Sequence, residues 1–368
     1  MHLMKPKPRD KRRLPLWALI CYGVAALALL FLIVAAISPD FADAYNGTVG
    51  AFLRALLAHL TSWLPFSLAE ILLYCMLPLV VLLVILAYRH WSDTWREVFV
   101  FLGCILAAAS ILFSIFAVGL GAGHRTHTLD ERLALGEVEV TAERLAETAG
   151  VLVEQLNALS PEVAYGEDGF SVMPYDLRGM NDKLLAAYEP ICDRYPFVQR
   201  LRSRIKPILA SRAMSYTHIT GVYSFYTGEA NLNIYFPDYT LPFTAAHELA
   251  HQRGIARENE ANFIAFLVTE ASEDAYIRYS GYLNLLEYVA SALYATDAEL
   301  YREVMADLCE AVKDELRAYA DFFDQFRDSF AADVSDAVND TYLKFNGNEA
   351  GSQSYSLVVE LAVAYYHS

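Results

Sequence analysis

Cysteine is scarce in this 368-residue chain: there are five, and no two are spaced as Cys-x-x-Cys. A thiolate zinc site therefore has little support. Cys21, Cys75 and Cys104 fall in apolar runs, where the residue serves as a small hydrophobe. Cys192 and Cys309 lie further on and could pair in an oxidising compartment, although nothing in their spacing demands it. The chain also lacks internal repeats and low-complexity tracts. Beyond residue 120 it is short of basic charge, with 19 Lys and Arg against 38 Asp and Glu. A domain that acidic is a poor nucleic-acid binder, and anionic lipid repels it.

What is abundant is apolar. Hydrophobic residues make up 55% of the chain, the mean hydropathy is +0.27, and the excess crowds into the first third. Three stretches, about 14–37, 67–88 and 98–120, are each long enough to cross a hydrocarbon core of roughly 30 Å. Their cores, LPLWALICYGVAALALLFLIVAAI, ILLYCMLPLVVLLVILAY and VFVFLGCILAAASILFSIFAVGL, carry no charge. The first run is too long for a signal-peptide core, so it reads as an uncleaved anchor. Pro78 is expected to kink the second.

Six basic residues precede the first span, Arg54 alone lies between the first and second, and Arg89 and Arg96 separate the second from the third. The positive-inside rule then puts the basic N-terminus, 1–13, in the cytoplasm and everything after 120 outside. The expected organisation is a membrane domain over 14–120, with an outer loop at 39–65 that reads as an interfacial amphipathic helix. An extracytoplasmic domain follows over 121–368.

The outer domain reads as mainly helical with a small β element. Helices are expected over the stretch after Thr141, over 178–190 and 197–210, from about 242 onward, as one long amphipathic helix over 297–326, and over about 353–366. YGEDGFSVMP is a loop. GVYSFYTGEANLNIYFPDY, with Gly228 in its middle, reads as two short strands and a turn.

The stretch AAHELAHQRGIARENEANFIAFL, 245–267, carries the chemistry. His247 and His251 stand at i and i+4, one helical turn apart on one face, where they can share an ion. Glu248 projects beside them and could take a proton from a metal-bound water. Gly254 can end the helix. A second helix then presents Glu258 and Asn262, again at i and i+4: one of them can ligate while the other orients a histidine ring through its free nitrogen. Glu260 is the rival ligand. His124 and His127 form a weak metal signal in a glycine-flanked loop. Glu229, Asn231 and Asn233 mark a possible substrate-binding edge strand. Tyr342, His218 and Tyr223 are candidate oxyanion donors. The flanking Arg253, Arg257, Glu258 and Glu260 exclude an intramembrane site, and the apolar run 263–268 is too short to cross.

The pattern H-E-x-x-H, turn, E-x-x-A-N resembles gluzincin-type zinc metallopeptidases. Arg257 stands where a metzincin would need histidine. The chain as a whole is also similar to an uncharacterised family of bacterial membrane proteins with several N-terminal spans and an H-E-L-A-H-Q domain. TGEANLN at 227–233, the 245–266 stretch, YLKFNG at 342–347 and SYSLVVELAVAYY at 354–366 carry that similarity. The first resemblance implies a zincin-like α+β outer domain, Zn²⁺ on His247, His251 and Glu258, Glu248 as general base, and a peptide or protein substrate near the membrane surface. The rival expectation is a membrane-anchored binding or sensor module with a structural zinc or an inactive zincin fold.

Overall fold

The computed structural model describes residues 13–90, 94–345 and 355–368. The chain is mainly helical. Its first third holds α1 (Leu16–Ile37), α2 (Pro39–Tyr45), α3 (Ala51–Ser62), α4 (Leu68–His90) and α5 (Trp95–Gly119). Three of these, over Leu16–Ile37, Leu68–Arg89 and Trp95–Gly119, are long and apolar enough to cross a membrane, and each lies within three residues of the span expected. α1 and α5 pack together, tied by the Tyr22 hydroxyl donating to the Gly103 carbonyl at 2.7 Å. α4 runs through Pro78 as one helix and leaves its surface open, which suits a lipid-facing span.

A π-turn, Asn46–Gly50, joins α2 to α3. Two faces of α3 differ sharply. Phe52, Leu56, Leu60 and Trp63 are exposed, whereas Arg54, Ala58 and Thr61 are buried against the rest of the chain. The segment between the first two long apolar helices therefore packs one face of α3 against the rest of the chain, with its one arginine turned inward.

That domain contains α6 (Leu129–Leu133), α7 (Ala142–Leu159), α8 (Leu177–Arg194), β1 (Lys206–Pro207), α9 (Ser211–Ser215), β2 (Gly221–Ser224) and β3 (Glu229–Leu232). They are followed by α10 (Thr240–Gln252), α11 (Glu258–Glu270), α12 (Ala275–Thr296), α13 (Ala298–Ala306), α14 (Glu310–Asp324), α15 (Phe330–Phe345) and α16 (Tyr355–His367). Thr141 caps α7 by accepting from the Arg144 amide, and Asp274 caps α12 through the amides of Tyr276 and Ile277. Leu145, Ala149, Leu152 and Leu156 recur at helical spacing and bury α7 against α12. α10 and α11 are buried on nearly every face, which places the motif helices in the middle of the core.

Two expectations are corrected. Residues 197–210 are not a helix: Lys206 and Pro207 pair with β3 in parallel register. The 297–326 helix is broken at 307–309, where Asn157 of α7 donates to the Asp307 carbonyl and accepts from the Cys309 amide, both at 2.8 Å. A side chain from another helix satisfies the two backbone groups that the break frees. Cys192 and Cys309 are both free thiols.

The three-stranded sheet has the order β1-β3-β2. Buried Glu229 accepts from the first amides of α4, Leu68 at 3.1 Å and Ala69 at 2.8 Å, where a carboxylate suits the helix dipole. Lys206, 3.4 Å from Glu229, donates to the carbonyls of Thr61, Leu64 and Phe66 at the end of α3. Glu70 of α4 accepts from the amides of Leu209 and Ala210. The region after residue 120 is thus hydrogen-bonded to the ends of α3 and α4.

Candidate metal centre

The two histidines and the glutamate converge. α10 presents His247 and His251 with ring centroids 4.6 Å apart and ring planes nearly perpendicular. Gly254, at φ +98°, turns the chain so that α11 returns antiparallel and delivers Glu258. One oxygen of Glu258, Oε2, lies 3.2 Å from His247 Nε2 and 3.4 Å from His251 Nε2. One potential donor atom from each of the three lies within 4.8 Å of the other two, and among the described residues this is the one such group.

The same turn brings the Ile255 carbonyl back beneath His251, 2.7 Å from Nδ1. A carbonyl can only accept, so Nδ1 carries the proton, and in the neutral ring Nε2 points its lone pair at Glu258. His247 Nδ1 has no partner that fixes its tautomer, so His247 can donate from Nε2 to Glu258, whereas the Nε2 lone pair of neutral His251 meets the carboxylate only through a cation. A proton could serve, and so could a divalent metal. Tetrahedral ligands at about 2.0–2.1 Å from zinc stand roughly 3.3–3.4 Å apart, close to the 3.2 and 3.4 Å that separate Glu258 Oε2 from the two histidine nitrogens.

Electrostatics agree with a site built for positive charge. Burial lowers the pKa of His251, but the Glu258 carboxylate outweighs it and carries the ring to about 9. Burial raises Glu258, and the two histidines hold it well below the usual carboxylate range. Glu248, next to His247 in the chain, is buried; desolvation pushes it up to about 7 against the pull of both histidines. Its Oε2 has no hydrogen-bond partner. It packs directly on Gly221, where an added Cβ would sit 2.5 Å from Glu248 Oε1.

The remaining candidates separate. Glu260 is pinned elsewhere, accepting from Arg257 at 2.6 Å and from the Leu129 amide at 3.0 Å, so it holds the juxtamembrane segment. Asn262 is buried on α11 but bonds to neither histidine; Ile255 does the orienting for His251, and His247 Nδ1 has no partner. The edge expected at Glu229, Asn231 and Asn233 is the central strand, paired on both sides and wholly buried, because β1 arrives from a segment read as helix. The edges are the two-residue β1 and the longer β2, Gly221–Ser224. Tyr223 lies on β2, its backbone amide bonded to Glu248 and its ring stacked on His251 at 6.4 Å. His218 is turned to the Phe326 carbonyl at 2.8 Å and packs on Phe323. Tyr342 belongs to α15, and its side chain lies outside the described residues, as does much of YLKFNG. His127 pairs with Asp43 at 2.6 Å, a hydrogen bond that raises its pKa. Burial holds His124 down near 3, hence neutral.

Sequence reasoning missed the support behind the site. Asn46 of the π-turn donates to the Gly254 carbonyl at 2.8 Å. Arg54 donates to Asn46 Oδ1 at 2.7 Å, to the Asn46 carbonyl at 2.8 Å and to Gln199 Oε1 at 3.3 Å. Gln199 in turn donates to the Ala51 carbonyl. A signal existed: Arg54 is a lone charge inside AFLRALLAHL, a costly place unless the side chain has buried partners.

The family described as "Protein of unknown function (DUF3810)" matches residues 45–363. The chain belongs to this family. No curated protein and no solved structure matches it. The matched region opens at Tyr45, immediately before Asn46, so α3, the second and third long apolar helices and most of the chain after residue 120 fall within it.

Proposed function

We propose that this protein is a membrane-anchored zinc endopeptidase with a zincin-like outer domain, acting at the outer face of the cytoplasmic membrane. The convergence of His247, His251 and Glu258, with Glu248 beside them, carries the reading. The donor set, two imidazoles and one carboxylate, suits zinc and leaves a fourth position open. When bound, zinc would polarise a scissile carbonyl and lower the pKa of a ligated water to near 7. Glu248 is assigned the role of general base: it follows His247 in the motif, its Oε2 has no hydrogen-bond partner, and in that role it accepts a proton from the attacking water and returns it to the departing amine. Water's hydroxyl goes to the acyl carbon as the C–N bond breaks. The β2 edge offers main-chain groups to hold an extended peptide. The orientation of the spans follows from the basic N-terminus.

A second reading has its own observation. Without metal, the cluster satisfies itself as an imidazolium–carboxylate pair, which suits a non-catalytic binding or sensor module. Elemental analysis of the purified full-length protein separates the two. The expected result is about one zinc per chain, lost in Glu258→Ala and kept in Glu260→Ala. Glu248→Gln should keep zinc and lose peptide hydrolysis. No zinc after loading and dialysis would overturn the peptidase reading in favour of the module.

A further inference from the structure

A cavity of about 1000 Å³ adjoins the candidate centre. Its lining takes in Ala36 and Pro39, where the first apolar helix meets α2, much of the segment 124–138, the face of α16 that bears Leu357 and Glu360, and Glu258. Glu258 is also the most accessible ligand candidate, with 32% of its side chain exposed against 13% for His247 and 8% for His251. The ligand candidate most open to solvent therefore lines a cavity that reaches the end of the first apolar helix.

The cavity's charge is one-sided. Six carboxylates line it against two arginines, and setting aside the Arg257–Glu260 ion pair leaves five against one. Asp130 and Glu360 oppose each other as like charges. A wall of this sign repels phosphate headgroups and attracts cationic side chains. The volume is at the upper end of the usual range for small-molecule sites, about 300–1,000 Å³, and accommodates several residues of an extended chain.

We propose that this cavity receives a polypeptide segment emerging from the bilayer beside the first span, with lysine or arginine next to its own membrane anchor. Its fate there rests on the peptidase reading; its binding does not. A shared bilayer confines the segment to the height of the cavity mouth and raises its effective concentration, while the acidic wall selects among anchored segments by charge.

The test uses the full chain carrying Glu248→Gln, in phosphatidylcholine nanodiscs. The probe is a synthetic peptide with an apolar span of about 20 residues and a lysine-rich outer flank bearing a diazirine. A glutamate-rich twin and the lysine flank without its span serve as controls. Cross-links should map to 124–138 and 357–364, with a yield about tenfold above either control. Glu137→Lys together with Glu360→Lys should reverse the preference between the twins. Equal yields, labelling confined to other surfaces, or indifference to the charge reversal would each overturn the proposal. Zinc content measured on the same samples reports on the peptidase reading separately: a zinc-free protein that still cross-links sinks that reading alone, and a zinc-loaded protein that does not sinks only this inference.

Discussion

Arg54→Met is the most informative perturbation outside the centre. Arg54 belongs to the loop between the first two spans, yet it is 4% exposed and gives three hydrogen bonds to Asn46 and Gln199. Burial lowers its pKa to about 10 despite the neighbouring Tyr223 and Tyr45. A shift of that size corresponds to roughly 3 kcal/mol against the charged form, a penalty that methionine would relieve. The hydrogen bonds lost are charge-assisted, about 1.5–3 kcal/mol each, and the acceptors they leave are buried. The balance is a net loss of about 3 kcal/mol, a large part of a typical folding free energy, or a fall on the order of 10 °C in Tm.

The local consequence is more specific. Asn46 loses its anchor, the Gly254 carbonyl loses Asn46, and the turn that aims the Ile255 carbonyl at His251 is released. Changes to groups that orient a ligand commonly cost about 10–100-fold in metal affinity. Thermal unfolding and chelator competition for Zn²⁺ on the full-length protein in detergent measure both effects. Arg54→Lys should recover part of each, since one ammonium can replace some of the guanidinium's bonds. A lower Tm with zinc affinity unchanged within a factor of about two would mean that the loop only tethers the domain. No change in either quantity would refute the argument.

Other expectations are simpler. Gly221→Ala puts a methyl 2.5 Å from Glu248 Oε1, so it should displace Glu248 and abolish hydrolysis while zinc content stays near that of wild type; full activity would show that the strand does not confine Glu248. Glu287 is raised to about 7 by burial, in spite of its hydrogen bond from Tyr239. The folded state then holds this proton where the unfolded state has released it, so stability is greatest below about pH 4.5 and falls as pH rises through about 7. Glu287→Gln should flatten that part of a Tm–pH profile, and an unchanged slope would assign it to other groups.

Much of the architecture was legible because its signals are local. Runs of uncharged residues located the three long helices to within three residues, and the period of 3.6 located α7, α11 and α16. The spacing of His247, His251 and Glu258 on two helices joined at Gly254 already implied a shared face. What the sequence hid was decided by distant partners. Residues 197–210 have helical composition, but Lys206 and Pro207 pair with β3, and Lys206 has buried carbonyls to bind at the end of α3. The break at 307–309 depends on Asn157, about 150 positions away. The edge was assigned to the wrong strand for the same reason, since a strand is central or marginal only by virtue of its neighbours.

The deepest omission was the division at residue 121. Composition separates an apolar first third from an acidic remainder, and that contrast invites a boundary between anchor and domain. The packing crosses it. Asn46 and Arg54 brace the turn that orients His251, Gly228 leaves no room for a Cβ against Leu57, and Glu229 caps α4. Each of these contacts is polar or sterically close, and none has a periodicity that a sequence could display. A domain cut at 121 would lose every one of them. The segment between the first two long apolar helices is therefore better regarded as a brace behind the candidate centre than as a mere link, and that arrangement couples the centre's geometry to the packing of those helices.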